Sequence, residues 1–206
     1  MTQRQQDRGW WSVRVELAGG GMAGELWPRP GRVFAVSPAH TFHTFAVAID
    51  DAFARWDRCH LHQFVLPKTG TTVTEFRHIE DIDLERQLDA DKVTLGELLG
   101  LGDDFEYVFD LGDNWRHECA VGACAIDPVE VLGVAPGGPL PYWGWGIIPD
   151  PYGRLFDGDD GETPIPQPPH GAWPWVNAPA PAITTEHCPG HYTRTFSLGS
   201  GLANGT

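Results

Sequence analysis

Basic residues are scarce in this chain. Its 206 residues include 14 Lys and Arg against 28 Asp and Glu, which gives a net charge of −14 and a pI near 4.8. Proteins that bind nucleic acid depend on contacts from Lys and Arg to the phosphates, so direct nucleic-acid binding is not expected. An acidic surface is compatible with solubility and with cationic ligands instead.

Long apolar runs and cysteines are also few. No stretch approaches the ~18 apolar residues that span a membrane, and the N-terminal MTQRQQDRG lacks the apolar region of a secretory signal. The four cysteines are too few for the disulfide framework of a chain this long; they are Cys59, Cys119, Cys124 and Cys188. We therefore expect a cytoplasmic protein with reduced thiols and no membrane segment.

Signatures of common enzyme classes are missing as well. The chain has no Walker loop, no Rossmann glycine fingerprint, no Gly-x-Ser-x-Gly elbow and no His-Glu-x-x-His motif. The sequence therefore leaves open whether the protein is an enzyme. It also specifies no substrate, no individual partner and no oligomeric state.

The most strongly patterned stretch is a predicted β-hairpin, Phe105–Val121. Apolar and polar residues alternate up to Phe109 and again from Trp115, on either side of the turn-forming run Asp110–Asn114. A five-residue loop keeps the aromatic residues of both arms on one face, because a slip of one residue would turn every side chain to the other face. That face is the predicted core side. The predicted cross-strand pairs are Phe109–Trp115, Tyr107–His117 and Phe105–Cys119.

This stretch also carries a resemblance to a known family. Its residues resemble the central motif of the plasmid pRiA4b Orf-three-like family: Phe105, Tyr107, Phe109-Asp110-Leu111-Gly112-Asp113, Trp115 and His117. Two further runs, Ala52–Phe64 and Val93–Leu99, resemble motifs of the same family in the same order. The resemblance covers Val13–Val121, with Leu111 standing where the family usually has Phe. It implies an association with plasmids and mobile elements, and no settled biochemical activity.

Alternating and helical patterns elsewhere predict an α+β fold. The apolar stripe of the predicted helix Thr41–Trp56 must be buried against a sheet, while Asp50, Asp51 and Arg55 are predicted to face away from it. The acidic run Glu80–Asp91 is predicted to be a solvated connection, with room for one helical turn. Further strands are predicted at Trp11–Leu17, Arg32–Val36, His60–Leu66 and Thr72–Ile79, and a short capped helix at Thr94–Leu99. We predict a mostly antiparallel sheet with a packed amphipathic helix and a central β-hairpin, followed by a Pro/Gly-rich C-terminal extension.

Composition divides the chain into three parts. Residues 10–125 form the predicted α+β core domain. Residues 126–192 form an extension rich in proline and aromatic residues. We expect this extension to pack on the core, because disordered segments are poor in aromatic residues. Residues 193–206 are predicted to be a flexible tail.

Three histidines are candidate metal ligands. His60 and His62 alternate on a predicted strand, so they point to one side and can chelate a metal together with His117. The hairpin carboxylates Asp110 and Asp113 can complete a cation site or act as acid and base. The alternative is structural: the aspartates bond to N–H groups of the turn, and the histidines are buried beside aromatic residues.

A second candidate set consists of aromatic residues downstream of the hairpin. We expect them to roof a pocket at the hairpin turn, where aromatic walls and carboxylates can recognise a cation or a sugar. The alternative is that they anchor proline-rich loops to the core. The predicted ligand-binding residues are Asp110, Asp113, Trp115, Tyr142, Trp143, Trp145 and Tyr152.

Two functions fit these observations. The first is a binding or interaction module that presents the hairpin turn and the aromatic–acidic pocket to a protein or a small-molecule ligand. The second is a metal-dependent enzyme that uses His60, His62, His117 and the hairpin aspartates. The sequence names no cofactor; under the second interpretation it is a divalent metal.

Overall fold

The computed structural model describes residues 9–55, 57–76 and 87–149, with only the backbone of Met22. None of the helices in these ranges is long and apolar enough to cross a membrane. Several predictions concern residues outside these ranges. They are the packing of the extension beyond Pro149, the flexible tail 193–206, and the roles of Trp56 and Tyr152.

Within these ranges, one sheet contains every strand. The strands are β1 (Trp10–Gly20), β2 (Gly24–Glu25), β3 (Gly31–Val36), β4 (His62–Leu66), β5 (Thr71–Thr74), β6 (Gln87–Asp89), β7 (Asp104–Phe109), β8 (Trp115–Ile126) and β9 (Leu140–Trp145). Their order is β6-β5-β4-β7-β8-β1-β3-β9, with β2 paired to β1. The β5–β6 pair is parallel, and the other pairs are antiparallel. The helices are α1 (Phe42–Ala52), α2 (Leu95–Leu98) and α3 (Pro128–Leu132). The predicted α+β fold with a mostly antiparallel sheet is confirmed.

The hairpin has the predicted register. Strands β7 and β8 enclose a five-residue loop, and they pair Phe109 with Trp115, Tyr107 with His117 and Phe105 with Cys119. All of these side chains are buried. Strand β8 continues past the hairpin and pairs with β1 over most of its length. The hairpin therefore lies in the middle of the sheet, with β4 on one side and β1 on the other.

Helix α1 covers the same face of the sheet. Thr41 caps its start, since the hydroxyl accepts a hydrogen bond of 3.1 Å from the amide of Thr44. The apolar stripe is buried as predicted, and its rings meet those of the sheet; the Phe45 ring lies 5.5 Å from that of Phe34. The helix ends at Ala52, short of the predicted Trp56. Ala54 has a left-handed backbone, which ends the helical path.

Two charged residues of this region are buried, although they were predicted to face away. Asp50 is 4% exposed and Arg55 is 0% exposed, so the prediction is wrong for both, while Asp51 stays half-buried. Asp50 follows Ala46 by four residues, so helical spacing places it on the buried stripe. Arg55 follows the end of the helix, and its guanidinium carbon lies 4.3 Å from the ring centroid of Trp115.

The cysteines differ in their state. Cys59 is an exposed free thiol and Cys119 is a buried one. Burial raises the pKa of the Cys119 thiol well above its ordinary value. Cys124 is disulfide-bonded, so the prediction of reduced thiols is wrong for this residue.

Candidate functional site

The hairpin turn is organised by one of its own aspartates. Asp110 Oδ1 accepts a hydrogen bond of 2.9 Å from the amide of Gly112 and one of 3.3 Å from the amide of Asp113. Its other oxygen, Oδ2, lies 3.2 Å from Nδ1 of His60. Asp113 is exposed, and its carbonyl accepts a 2.6 Å hydrogen bond from the amide of Gly21. The structural alternative therefore describes the role of Asp110 in the turn.

The three predicted metal ligands do not converge. His60 precedes β4 and lies between Asp57 and Asp110, with 3.4 Å between its Nε2 and the carboxylate of Asp57. His117 is fully buried, and its Nδ1 donates to the carbonyl of Tyr107 at 3.2 Å. Strands β4 and β8 lie on opposite sides of β7. Two strand spacings, ~9.5 Å, therefore separate the backbones of His62 and His117.

The described residues of the predicted aromatic roof do not reach the hairpin turn. Tyr142, Trp143 and Trp145 belong to β9, which pairs with β3 at the far edge of the sheet. Three strand spacings, ~14 Å, separate that edge from β8. Tyr142 Oη shares a hydrogen bond of 2.7 Å with Ser12 Oγ. Trp145 Nε1 donates a 2.8 Å hydrogen bond to a backbone carbonyl. These contacts anchor the edge strand. The described residues do not assemble the predicted aromatic–acidic pocket.

The structure brings together a different group of potential ligands. Three potential metal-ligand atoms lie within 4.8 Å of one another, and they belong to His43, His62 and Glu75. No other group of three His, Cys, Asp or Glu residues meets this criterion in the described part of the chain. His43 Nδ1 lies 2.6 Å from Glu75 Oε1 and 3.8 Å from Asp91 Oδ1. We call these three residues the histidine–glutamate cluster, with Asp91 at its edge.

Local structure explains how the cluster forms. Strands β4 and β5 pair Phe64 with Val73, and continuing this register by two residues places Glu75 opposite His62. His43 comes from the first turn of α1, and its amide donates a 3.0 Å hydrogen bond to the carbonyl of Ala90. The cluster therefore joins a helix start to two neighbouring strands.

The two imidazoles of the cluster differ in their contacts. Nε2 of His62 is buried and has no hydrogen-bond partner. Nδ1 of His43 is also buried, and it lies 2.6 Å from Glu75 Oε1 without the geometry of a hydrogen bond. Burial lowers the pKa of His62 to about 4, and the positive charge of Arg58 acts in the same direction, while Glu75 and Asp91 oppose the shift. His62 is therefore neutral at pH 7, the form in which imidazole binds metals.

The fold and this arrangement can be compared with known proteins. The sequence model of the family described as plasmid pRiA4b ORF-3-like protein matches residues 13–132, more than half of the chain.

The chain belongs to this family. The resemblance that the hairpin motif carried is thereby confirmed, and the whole histidine–glutamate cluster lies within the matched residues. A solved structure of a protein of unknown function, MM3350 from Methanosarcina mazei Go1, resembles the chain with a TM-score of 0.50 and 23% identity. The similarity covers 66% of this chain and 68% of that one, and it shows the fold alone. No curated protein matches the chain significantly.

The plasmid pRiA4b ORF-3-like domain also contains a buried polar pair behind the cluster. Tyr107 Oη donates a hydrogen bond of 2.6 Å to Asp50 Oδ1. The Tyr107 ring centroid lies 5.7 Å from that of His62. Burial raises the pKa of Asp50 to about 7, against the opposing effects of the Tyr107 hydrogen bond and of Arg58. Sequence analysis missed this pair, although Asp50 follows Ala46 by one helical turn.

We expect Tyr107→Phe to lower the free energy of unfolding by about 1–3 kcal/mol, because it removes the hydroxyl that donates to the buried Oδ1 of Asp50. Urea denaturation at pH 7 measures this loss. Tyr142→Phe is the matched control, since its hydroxyl bonds to Ser12 at the partly exposed edge of the sheet, and it should cost no more than about 1 kcal/mol. Equal losses in both variants would contradict a special role for the buried pair.

Proposed function

We propose that this plasmid pRiA4b ORF-3-like chain is a metal-binding module that holds one divalent transition-metal ion between His43, His62 and Glu75. The observation that carries the proposal is that His43, His62 and Glu75 each offer one potential ligand atom within 4.8 Å of the others, while Nε2 of His62 is buried without a hydrogen-bond partner. A buried polar atom without a partner costs about 1–3 kcal/mol. A metal ion offers the two imidazoles and the carboxylate a common partner.

The donor set indicates which metals fit. Two imidazoles and one carboxylate suit zinc and the neighbouring transition metals, whereas calcium and magnesium prefer oxygen ligands alone. Zinc binds such ligands at ~2.0–2.2 Å. Drawing the three donor atoms to that distance takes small rotations of the partly exposed side chains of His43 and Glu75, which are 30% and 15% exposed. His62 is 7% exposed and provides the fixed ligand.

The broader biological role of the protein is also part of this proposal. The plasmid in the family's name supports an association with mobile elements. The net charge of −14 supports a protein or small-molecule partner rather than nucleic acid. The proposed metal site differs from the one predicted from the sequence, which consisted of His60, His62 and His117. Only His62 belongs to the cluster.

Zinc binding to untagged protein tests the proposal. We expect one zinc ion per chain in calorimetric titration and in elemental analysis after dialysis. His62→Ala should weaken binding by more than the ~10–100-fold that removal of a supporting residue costs. All proteins should carry Cys59→Ser, because the exposed thiol can bind zinc by itself.

His60→Ala is the matched control for this titration. His60 is a nearby, partly exposed histidine that lies outside the cluster and contacts Asp57 and Asp110. Its replacement should leave the affinity for zinc unchanged. The absence of stoichiometric zinc from the parent protein, or an equal loss of affinity in both variants, would overturn the proposal.

A further inference from the structure

We infer that the exposed ring of Trp27 is the docking platform for a proline-rich segment of the same chain, residues 164–169. This segment has the sequence PIPQPP and lies outside the described residues. The contact does not involve the proposed metal site. Three observations support it: an apolar surface on an anchored loop, the place where the described chain ends, and the composition of the sequence that follows.

Two large apolar side chains project into solvent at one end of the sheet. Trp27 is 89% exposed and Ile147 is 73% exposed, the highest values among the large hydrophobic residues of the described ranges. Their loops lie side by side, since a Cβ added at Gly146 would lie only 2.7 Å from Cα of Pro30. Exposed apolar groups gathered in one place mark binding surfaces, whereas scattered ones need no explanation.

The loop that carries Trp27 is anchored on both sides of that residue. The amide of Leu26 donates a 2.8 Å hydrogen bond to the carbonyl of Ala18, and the Leu26 side chain packs against the core. On the other side, the carbonyl of Arg29 accepts a 2.8 Å hydrogen bond from Nε1 of Trp145. A fixed backbone therefore presents the exposed ring, which is the arrangement of an aromatic anchor in a binding surface.

The described chain ends beside this surface, at Pro149. Trp27 and Pro149 are each three residues away from one member of the contact between Pro30 and Gly146. Their Cα atoms are therefore no more than ~25 Å apart, because three extended residues span ~10 Å. The residues that follow, 150–163, reach ~50 Å when fully extended. This connection is long enough to bring residue 164 to the ring of Trp27.

The composition of residues 164–169 suits an aromatic platform. Four of these six residues are proline, and no other six-residue stretch of the chain contains four. Proline restricts the backbone to the angles of polyproline II, so binding costs such a segment little conformational entropy. Pro166 and Pro169 have the P-x-x-P spacing of segments that bind aromatic grooves. The segment has no charged residue, so covering the ring with it desolvates no charge.

Covalent attachment favours this segment over a separate partner. A connection of suitable length gives a tethered segment an effective concentration in the millimolar range. One indole ring and a short run of prolines form a small contact, too weak to hold a separate protein at ordinary concentrations. Within one chain the same contact is formed, because the tether supplies the segment at the surface.

Fluorine NMR of the full chain labelled with 5-fluorotryptophan tests this inference. Trp27→Phe identifies the Trp27 resonance, and the difference in its chemical shift between H₂O and D₂O measures the exposure of the ring to solvent. We expect a shielded ring, with a small difference, in the parent protein. A variant that combines Pro164→Ser, Pro166→Ser, Pro168→Ser and Pro169→Ser should raise the difference to that of free 5-fluorotryptophan.

The matched control combines Pro174→Ser, Pro179→Ser and Pro181→Ser, which change the same extension but leave residues 164–169 intact. It should keep the Trp27 resonance of the parent protein, and the resonance of the buried Trp115 should be the same in all variants that fold. A fully exposed ring in the parent protein, or shielding that persists in the four-proline variant, overturns the inference. Equal loss of shielding in the control overturns the choice of residues 164–169. Shielding that disappears on dilution shows that a second copy supplies the segment, and it overturns docking within one chain.

Discussion

Replacing Trp115 with alanine is expected to lower the free energy of unfolding by about 3–5 kcal/mol, the range for truncating a large buried aromatic side chain. Trp115 is 1% exposed. Backbone packs directly on it, since a Cβ added at Gly20 would lie 2.8 Å from Cδ2 of its ring. The buried guanidinium of Arg55 lies over the same ring. The truncation therefore removes both hydrophobic packing and a cation–π contact.

Urea denaturation of Trp115→Ala beside Trp143→Ala measures this effect. Trp143 lies on the edge strand β9 and is half-buried, so its replacement should cost clearly less. Both variants lose the same group of atoms. The difference between their losses of stability therefore reflects how deeply each tryptophan is buried. A loss below about 1 kcal/mol in Trp115→Ala would show that the side chain is not a core residue.

Acidification is expected to destabilise the protein through His117. Burial lowers the pKa of His117 to about 3, and the positive charge of Arg55 acts in the same direction. An unfolded histidine titrates near 6.5. Between these two values the unfolded chain binds more protons, so stability is complete above pH 6.5 and declines as the pH falls toward 3. From pH 7 to pH 4.5 the contribution of His117 amounts to about 2–3 kcal/mol.

The variant His117→Phe isolates this contribution. Phenylalanine keeps a ring against Phe53, whose centroid lies 4.8 Å from that of His117, and it cannot titrate. Asp50 acts in the opposite sense, because its pKa is raised to about 7, so protonation below that value stabilises the folded chain. Asp50 and His62 remain in both proteins. Their contributions to the pH dependence of stability therefore largely cancel when the parent protein is compared with His117→Phe.

Urea melts at several pH values, in the presence of a chelator, give the two stability profiles. The parent protein should lose about 2–3 kcal/mol more than His117→Phe between pH 7 and pH 4.5. Parallel profiles would show that His117 titrates in the same way in the folded and the unfolded chain.

Local patterns were sufficient to predict the hairpin. Alternation on both sides of a turn-forming run determines the parity of the loop, and a loop of odd length puts Phe109 opposite Trp115. The aromatic pairs then follow from the two-residue period of a strand. The apolar stripe of α1 was predictable for the same reason, since its 3.6-residue period lies within one element. The family was also predictable, because its motif is carried by the hairpin itself.

Two sequence-based predictions were wrong because a pattern of neighbouring residues was read beyond the segment in which it holds. His60 was placed on the same strand face as His62, but β4 begins at His62, so alternation does not apply to His60. Glu80–Asp91 was predicted to be a solvated connection, yet it contains β6, which pairs with β5 in parallel. A three-residue edge strand has too short a pattern to be recognised without its partner.

The sequence by itself determined the family, the hairpin register and the amphipathic helix, because each depends on residues that are close together in the chain. Tertiary structure alone decided the histidine–glutamate cluster and the burial of Asp50. His43 lies on α1 and His62 on β4, whereas Glu75 and Asp91 follow the ends of β5 and β6. The docking of α1 over the sheet sets the distances between them. No periodicity within a single element encodes such docking, because it results from how the buried faces of several elements fit together.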